Sequence, residues 1–175
     1  SVTDRIARDR SAIMQYRNLG NSDLTVSVIG FGCWPMGGSQ YGNTDDKEEV
    51  AAVHKALDVG ITCFDTAPAY GLGHSEQLLG RALGRHRDDV VIVTKCGIAF
   101  NPATNLFERN SSREHILRAI DESLEQLNAD YVDLFLIHWP DPKTPIEESM
   151  LALEELRTAG KIRYAGVSNF LPDRL

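Results

Sequence analysis

Two periods run along this chain. Short runs of β-branched and aromatic residues alternate with longer stretches in which apolar residues return every third or fourth position. Met14–Leu19 and Leu24–Val28 flank the turn-rich Gly20-Asn21-Ser22-Asp23, which predicts an N-terminal β-hairpin. Val28–Phe31 reads as a buried strand. After a glycine-rich loop, a helix is predicted over Asp46–Val59, with Val50, Val53 and Leu57 on one face and Gly60 as its stop. Ile61–Phe64 is the next strand, followed by a helix over Ser75–Leu83 bearing Leu78, Leu79 and Ala82. Val90–Thr94 is an almost uninterrupted β-branched run, suited to burial on both faces. Ser111-x-x-Glu114 spells a capping box ahead of an apolar stripe at Ile116, Leu117, Ile120, Leu124 and Leu127. Tyr131–Ile137 is a fourth full strand. Thr144 then caps a helix with Pro145 at its first position, ending at Gly160. Ile162–Val167 closes the series, and Pro172 starts one more helix.

Strand and helix alternate, so the pattern predicts an α/β fold with a parallel sheet and crossover helices. Two closures are open to such a chain, a doubly wound sheet and an eight-stranded barrel of roughly 250 residues. Gly30-x-Gly32 runs on into Cys33-Trp34-Pro35, so the third glycine of a dinucleotide fingerprint is missing, and this favours the barrel. The expectation is a (β/α) TIM-barrel type fold, of which about five of eight units fit in this sequence. Residues 1–13 are read as a flexible tail and 14–175 as the N-terminal part of a barrel domain. Unpaired sheet edges would then favour self-association, and the 175-residue chain is expected to be inactive by itself.

Composition narrows the choice of partner. The chain is 42% hydrophobic, enough for one domain with a core, and no run approaches the ~20 apolar residues of a membrane span. With 25 acidic against 18 basic residues its net charge is -7, which disfavours nucleic acid and anionic membranes as partners. Residues 1–11 carry Asp4, Arg5, Arg8, Asp9 and Arg10 with no apolar run behind them, unlike a secretory signal. Cys33, Cys63 and Cys96 are odd in number and lack a C-x-x-C arrangement, so they read as reduced thiols of a cytoplasmic protein. On that reading the glycosylation triplet Asn110-Ser111-Ser112 is coincidental.

The chemistry gathers where the strands end. Gly32-Cys33-Trp34, Asp65 with Tyr70 five residues on, Lys95, His138 and Ser168-Asn169 all fall at the carboxyl ends of strands, the catalytic face of α/β architectures. Each has an ordinary reading. Asp65 can cap a turn, Tyr70 can be a packed loop aromatic, and Lys95 can be a solvated lysine. His138 can be a core histidine, and Ser168-Asn169 can cap a helix. Placed on one rim, the four titratable groups are complementary. A phenol starts near ~10, too high for efficient proton transfer at neutral pH, and an adjacent ammonium favours its ionised form. Lys95 can supply that charge, Asp65 can hold Lys95, and His138 can donate a hydrogen bond to a substrate carbonyl. The result is a proton donor beside a bound carbonyl, the half-reaction that accompanies hydride transfer to an aldehyde or ketone.

At this point the residues resemble a known family. Gly30-Phe31-Gly32-Cys33-Trp34, Phe64-Asp65-Thr66-Ala67-x-x-Tyr70-Gly71 with Glu76-x-x-Leu79-Gly80, Val93-Thr94-Lys95, Leu136-Ile137-His138-Trp139 and Gly166-Val167-Ser168-Asn169-Phe170 are together similar to the aldo-keto reductases, in order and spacing. The resemblance implies a β/α barrel that reduces an aldehyde or ketone with NADP(H), or less often NAD(H). It implies Tyr70 as general acid, Lys95 and Asp65 as its partners and His138 as the carbonyl-orienting group. Ser168 and Asn169 would bind the nicotinamide carboxamide, and Gly32, Cys33, Trp34 and Asp65 would line the cofactor. The early hairpin matches one that plugs the barrel bottom. Cys33 stands where a threonine is common, and Ala165 where a larger aliphatic is usual. Some relatives, the potassium-channel beta subunits, imply an alternative role as a non-enzymatic NADPH-binding partner. A metal-dependent hydrolase using His138, Asp65 and a cysteine is disfavoured, because no His-x-His follows the first strand and no pair has metal-ligand spacing, so no metal is expected.

Overall fold

The computed structural model describes residues 14–38 and 44–172. The predicted tail over 1–13 lies outside the described residues, as do part of the glycine-rich loop (39–43) and the last three residues, where the helix predicted from Pro172 would run.

Strands β1 (Tyr16–Asn18) and β2 (Thr25–Ser27) pair antiparallel as the predicted hairpin. Among the described residues, a sheet of five parallel strands follows, in the order β3 (Phe31–Gly32), β4 (Cys63–Asp65), β5 (Val91–Cys96), β8 (Val132–Ile137) and β9 (Ile162–Val167). Neighbours in the sheet are successive in the chain once an inserted hairpin, β6 (Ile98–Asn101) with β7 (Leu106–Arg109), is set aside. Helices α1 (Asp46–Asp58), α2 (His74–Leu83), α3 (Arg113–Leu127) and α4 (Ile146–Thr158) make the crossovers. Strands added in sequence order with helices between them are the wall of a parallel barrel.

The two faces of the sheet alternate along each strand. Phe64, Ile92, Phe135 and Ile137 point outward into the main core, where Val53, Leu79, Ile116, Ile120 and Leu153 meet them from the helices. Val91 and Val93 point inward with Cys63, Leu134, Leu136 and Tyr164, and Leu24 and Val26 of the hairpin pack against them. The hairpin thus closes the base of the inner face. Asp65 and Lys95 lie two residues beyond Cys63 and Val93, at the opposite end of the same inward rows.

Three local expectations differ from the fold. Val28 and Ile29 are exposed, and the paired strand is only Phe31–Gly32. Val28 N–H donates to the Gln15 carbonyl and Ser27 exchanges hydrogen bonds with Thr62 (3.0 and 2.9 Å), so this segment crosses from hairpin to sheet. The cap of α3 is Ser112 rather than Ser111: its Oγ accepts from His115 N–H, while the Ser111 N–H is drawn to Asp141. Thr144 does not cap α4: the helix opens at Pro145 with no side-chain cap, and the Thr144 hydroxyl donates to the same Asp141 carboxylate (2.7 Å). The β6–β7 hairpin went unpredicted. Its strands are short and carry a mixed apolar and polar pattern, and only Asn101-Pro102 and Asn105, which takes a positive φ of 54°, mark its turn.

Candidate active site

Lys95 is the centre of the site. It is the penultimate residue of a strand buried along its whole length, is itself 5% exposed, and directs Nζ toward the end of β4. There it donates to Asp65 Oδ1 at 2.7 Å and to the Thr66 carbonyl at 2.8 Å, and reaches the Tyr70 hydroxyl at 3.3 Å. A buried ammonium needs this many acceptors to offset the loss of its hydration. The Asp65 side chain remains 44% exposed, open to the cup.

Tyr70 is delivered by the loop between β4 and α2. Its N–H donates to Ala67 O and its carbonyl accepts from Ser75 N–H, which folds the loop back over the strand end. Gly37 and Gly71 let two loops touch at the rim: a Cβ on Gly71 would stand 2.5 Å from the Gly37 carbonyl oxygen, and Gly71 has a φ of 66°. Trp34, at the start of a 3₁₀ turn over Trp34–Gly37, brings its ring centroid to 6.3 Å from that of Tyr70.

His138 follows β8 on the inward row and packs edge-on to Tyr70, with centroids 5.9 Å apart and planes at 83°. Burial, reinforced by the Lys95 charge and opposed by Asp65, pulls its pKa down to about 4. The imidazole is therefore neutral through the physiological range, with one ring N–H to donate.

Ser168 and Asn169 follow β9 beside His138. Asn169, at a φ of 62°, donates through Nδ2 to the His138 carbonyl (2.8 Å) and to Ser168 Oγ (3.0 Å). These bonds leave Asn169 Oδ1 as an acceptor and the Ser168 hydroxyl as a donor, a pair that complements a primary carboxamide. Gly32 lies exposed at the rim, with open space where a Cβ would stand. The donor set thus fits the amide of a nicotinamide cofactor.

Of the predicted residues, Asp65, Tyr70, Lys95 and His138 converge in a chain of direct contacts at the carboxyl ends of the strands, with Gly32, Trp34, Ser168 and Asn169 around them. Cys33 does not face it. Its side chain is fully buried in the core, its N–H donates to Asp65 O, its carbonyl accepts from Ser75, and burial pushes its thiol far up. Apolar packing, with no polar group left over, is what this cysteine supplies. Sequence reasoning also gave no role to Thr66, Ser75, Glu76 and Thr94, a buried polar group directly behind Lys95. Their signal was a carboxylate and hydroxyls on the otherwise apolar inner side of α2 and β5.

The chain is similar to several known proteins. Over 159 residues the chain is 43% identical to Aldo-keto reductase YhdN of Bacillus subtilis, covering 90% of this chain and 47% of that protein. It is 37% identical to the NADH-specific methylglyoxal reductase of Escherichia coli (90% and 52% covered) and 39% identical to a probable voltage-gated potassium channel subunit beta of Arabidopsis thaliana (90% and 47%). The structure of aldo-keto reductase AKR11C1 from Bacillus halodurans, in its holo form, superposes with a TM-score of 0.84 at 37% identity, over 91% of this chain and 52% of that one. The chain spans about half the length of the relatives it matches. Residues 28–175 match the sequence profile of the aldo/keto reductase family, and the chain belongs to that family.

Proposed function

We propose that the protein reduces an aldehyde or ketone to the alcohol at the cup around Tyr70, with NADP(H) as cofactor and NAD(H) as the second choice. The observation that carries this reading is the Lys95 ammonium held between the Asp65 carboxylate and the Tyr70 hydroxyl, with His138 packed edge-on against the phenol ring. The bound nicotinamide supplies the hydride. Tyr70 gives its hydroxyl proton to the carbonyl oxygen, and the phenolate left behind faces the Lys95 charge at 3.3 Å. Asp65 and the Thr66 carbonyl keep Nζ in place through that change of charge. Neutral His138 donates its ring N–H to the same carbonyl and orients it without competing for the proton. Asn169 and Ser168 hold the carboxamide, and Trp34 closes the cup from the β3 side. After reaction the phenolate recovers a proton from solvent.

On this reading residues 14–175 form the N-terminal part of a barrel whose remaining units complete the cup, and the protein works in the cytoplasm on a small carbonyl compound. Among the described residues no helix is long and apolar enough to cross a membrane. Tyr70→Phe in the product of the complete reading frame is expected to abolish reduction of nitrobenzaldehyde while leaving the Kd for NADPH unchanged. Retained turnover would overturn the reading. The identity with a potassium channel beta subunit favours a second reading, a cofactor-binding partner subunit that uses the same residues. Cofactor binding without turnover over a broad carbonyl panel, together with a stable membrane-protein partner, would select it.

A further inference from the structure

Behind the Lys95–Tyr70 pair, on the outward side of the sheet, the first turn of α2 inserts polar side chains into an otherwise apolar layer. Ser75 and Glu76 are fully buried there, as are Thr66 and Thr94. Ser75 Oγ donates its single proton to the Cys33 carbonyl (2.8 Å), so in its contact with Thr66 Oγ1 (3.0 Å) the threonine is the donor. Glu76 Oε1 accepts from Thr94 Oγ1 at 2.6 Å. Each threonine stands next to the catalytic centre. Thr66 carries the carbonyl that accepts from Lys95 Nζ, and its N–H continues the β4–β5 ladder to Val93 O. Thr94 is the residue before Lys95, pointing outward where Lys95 points inward. The Ser75 N–H also donates to the Tyr70 carbonyl.

We propose that Ser75 and Glu76 are positioning residues for the Lys95–Tyr70 pair, tying the ends of β3, β4 and β5 and the Tyr70 loop to one rigid helix turn. Glu76 touches neither substrate nor the reacting atoms; it acts through Thr94, and Ser75 through Thr66. A purely structural need at this place would be met better by an apolar side chain. Among the described residues Glu76 Oε2 makes no hydrogen bond of normal geometry, the Ser123 hydroxyl standing nearby, and burial pushes the carboxyl up to about 7 against the pull of Thr94, Ser123 and the Lys95 charge. A directed bond to one particular strand residue accounts for keeping a carboxyl where the fold disfavours one. The helix turn is itself fixed. Leu79 is fully buried, and Gly80 lies so close to α3 that a Cβ there would come within 2.2 Å of the Leu127 carbonyl oxygen. The spacing Glu76-x-x-Leu79-Gly80 is then one device: Gly80 and Leu79 seat the helix, and Glu76 transmits its position to β5.

The inference rests on the proposed reductase chemistry for its catalytic consequence, but its geometric part is tested separately. The chain is labelled with [ζ-13C]tyrosine, and the Tyr70 resonance, which senses the Lys95 ammonium, is assigned by its loss in Tyr70→Phe. Glu76→Ala and Thr94→Val are each expected to shift that resonance, and the double variant is expected to shift it no further, because both remove one bond. Glu76→Gln keeps an acceptor for Thr94 and is expected to return the resonance to its place. In the product of the complete reading frame, Glu76→Ala and Thr94→Val should lower kcat about tenfold to a hundredfold, the cost of misplacing a reacting group, with the Kd for NADPH unchanged. Folded Glu76→Ala and Thr94→Val proteins with an unmoved Tyr70 resonance would overturn the proposal. Where Glu76→Ala does not fold, near-isosteric Thr94→Val decides alone. A moved resonance in a protein that reduces no carbonyl would uphold the positioning and defeat the reductase reading; an unmoved one in an active enzyme would do the reverse.

Discussion

The sheet has a buried charge cluster at each end, and the two are built on different rules. At the base, Asp133 of β8 is 1% exposed and both its oxygens are engaged: Oδ1 takes Arg163 (2.8 Å), while Oδ2 takes Arg87 (2.9 Å) and the Ile92 N–H (2.9 Å). Arg87 in turn stacks on Tyr131, and Arg163 reaches Asp23 of the early hairpin. At the mouth, Lys95 is equally enclosed, but its partners are not used up. The Asp65 side chain opens to the cup, Tyr70 has a hydroxyl to give, and His138 has a ring edge free for a ligand. A cluster whose charges are turned on one another holds strands together. A cluster with spare donors arranged around a fixed charge can also meet a ligand, and barrels place such groups at the carboxyl end.

The largest effect expected from this difference is on turnover at the mouth. Lys95→Met keeps the length of the side chain and removes the charge that faces the phenol. Loss of a tuned general acid is worth about 10²- to 10⁴-fold in rate, so kcat for carbonyl reduction should fall in that range. Stability should change little or rise, because a buried cation is replaced by an apolar chain of similar volume. Parallel kinetics and urea unfolding measure both. A Lys95→Met protein with near-normal kcat would mean that the charge at the mouth is as structural as the one at the base.

The converse change belongs at the base. Asp133→Ala leaves two arginines and the Ile92 N–H without their acceptor, and removing one partner of a buried, paired charge costs about 3–5 kcal/mol. Its midpoint in urea should fall accordingly, while kcat per folded molecule stays within about twofold because no group of the mouth is touched. A drop in kcat larger than the loss of folded protein would show the two ends to be coupled along β5 and β8.

How much of this was legible beforehand depends on the kind of pattern that carried it. The reading Ile162–Val167 has the exact ends of β9 and Tyr131–Ile137 falls within one residue of β8, because Gly160 before the first and Ser168-Asn169 and Trp139-Pro140 after them bound short β-prone runs, even though β9 is half exposed. Val28–Ile29 had the same composition but sits exposed at the crossing from hairpin to sheet, a tertiary circumstance that no local pattern records. The convergence of Asp65, Tyr70, Lys95 and His138 was readable from strand ends. Ser112 takes the place of Ser111 as cap, and Thr144 turns its hydroxyl to Asp141 of its own loop, which also holds the Ser111 N–H; no local pattern records either. Glu76 and Thr94 stand in the family motifs and Ser75 beside them, but their role is not legible in sequence: their place on the apolar side of α2 and β5 is a faint signal, and the hydrogen bonds that give it meaning appear only in the fold.

The smallest of the expected effects compares the two halves of the mouth itself, the inward His138 and the outward Glu76, whose titrations oppose one another. His138 is held near 4 in the fold against an ordinary 6.5, so the unfolded chain binds more protons between those values and stability is lost as pH falls through them. Glu76 is held near 7 against 4.5, so the folded chain binds more protons there and stability is lost as pH rises from 4.5 toward 7. Between about 4.5 and 6.5 the two slopes have opposite signs and largely cancel. Glu76→Gln removes one of them. The pH shift of a buried carboxyl of this size corresponds to about 3 kcal/mol across its window, and the half-open setting of His138 makes its own contribution smaller. Relative to the wild type, Glu76→Gln should therefore gain stability toward pH 7 and show a steeper decline on acidification, measured as urea midpoints at successive pH values. Parallel curves for the two proteins would mean that Glu76 titrates in the fold as it does in water, and that the polar layer behind the mouth is open to solvent.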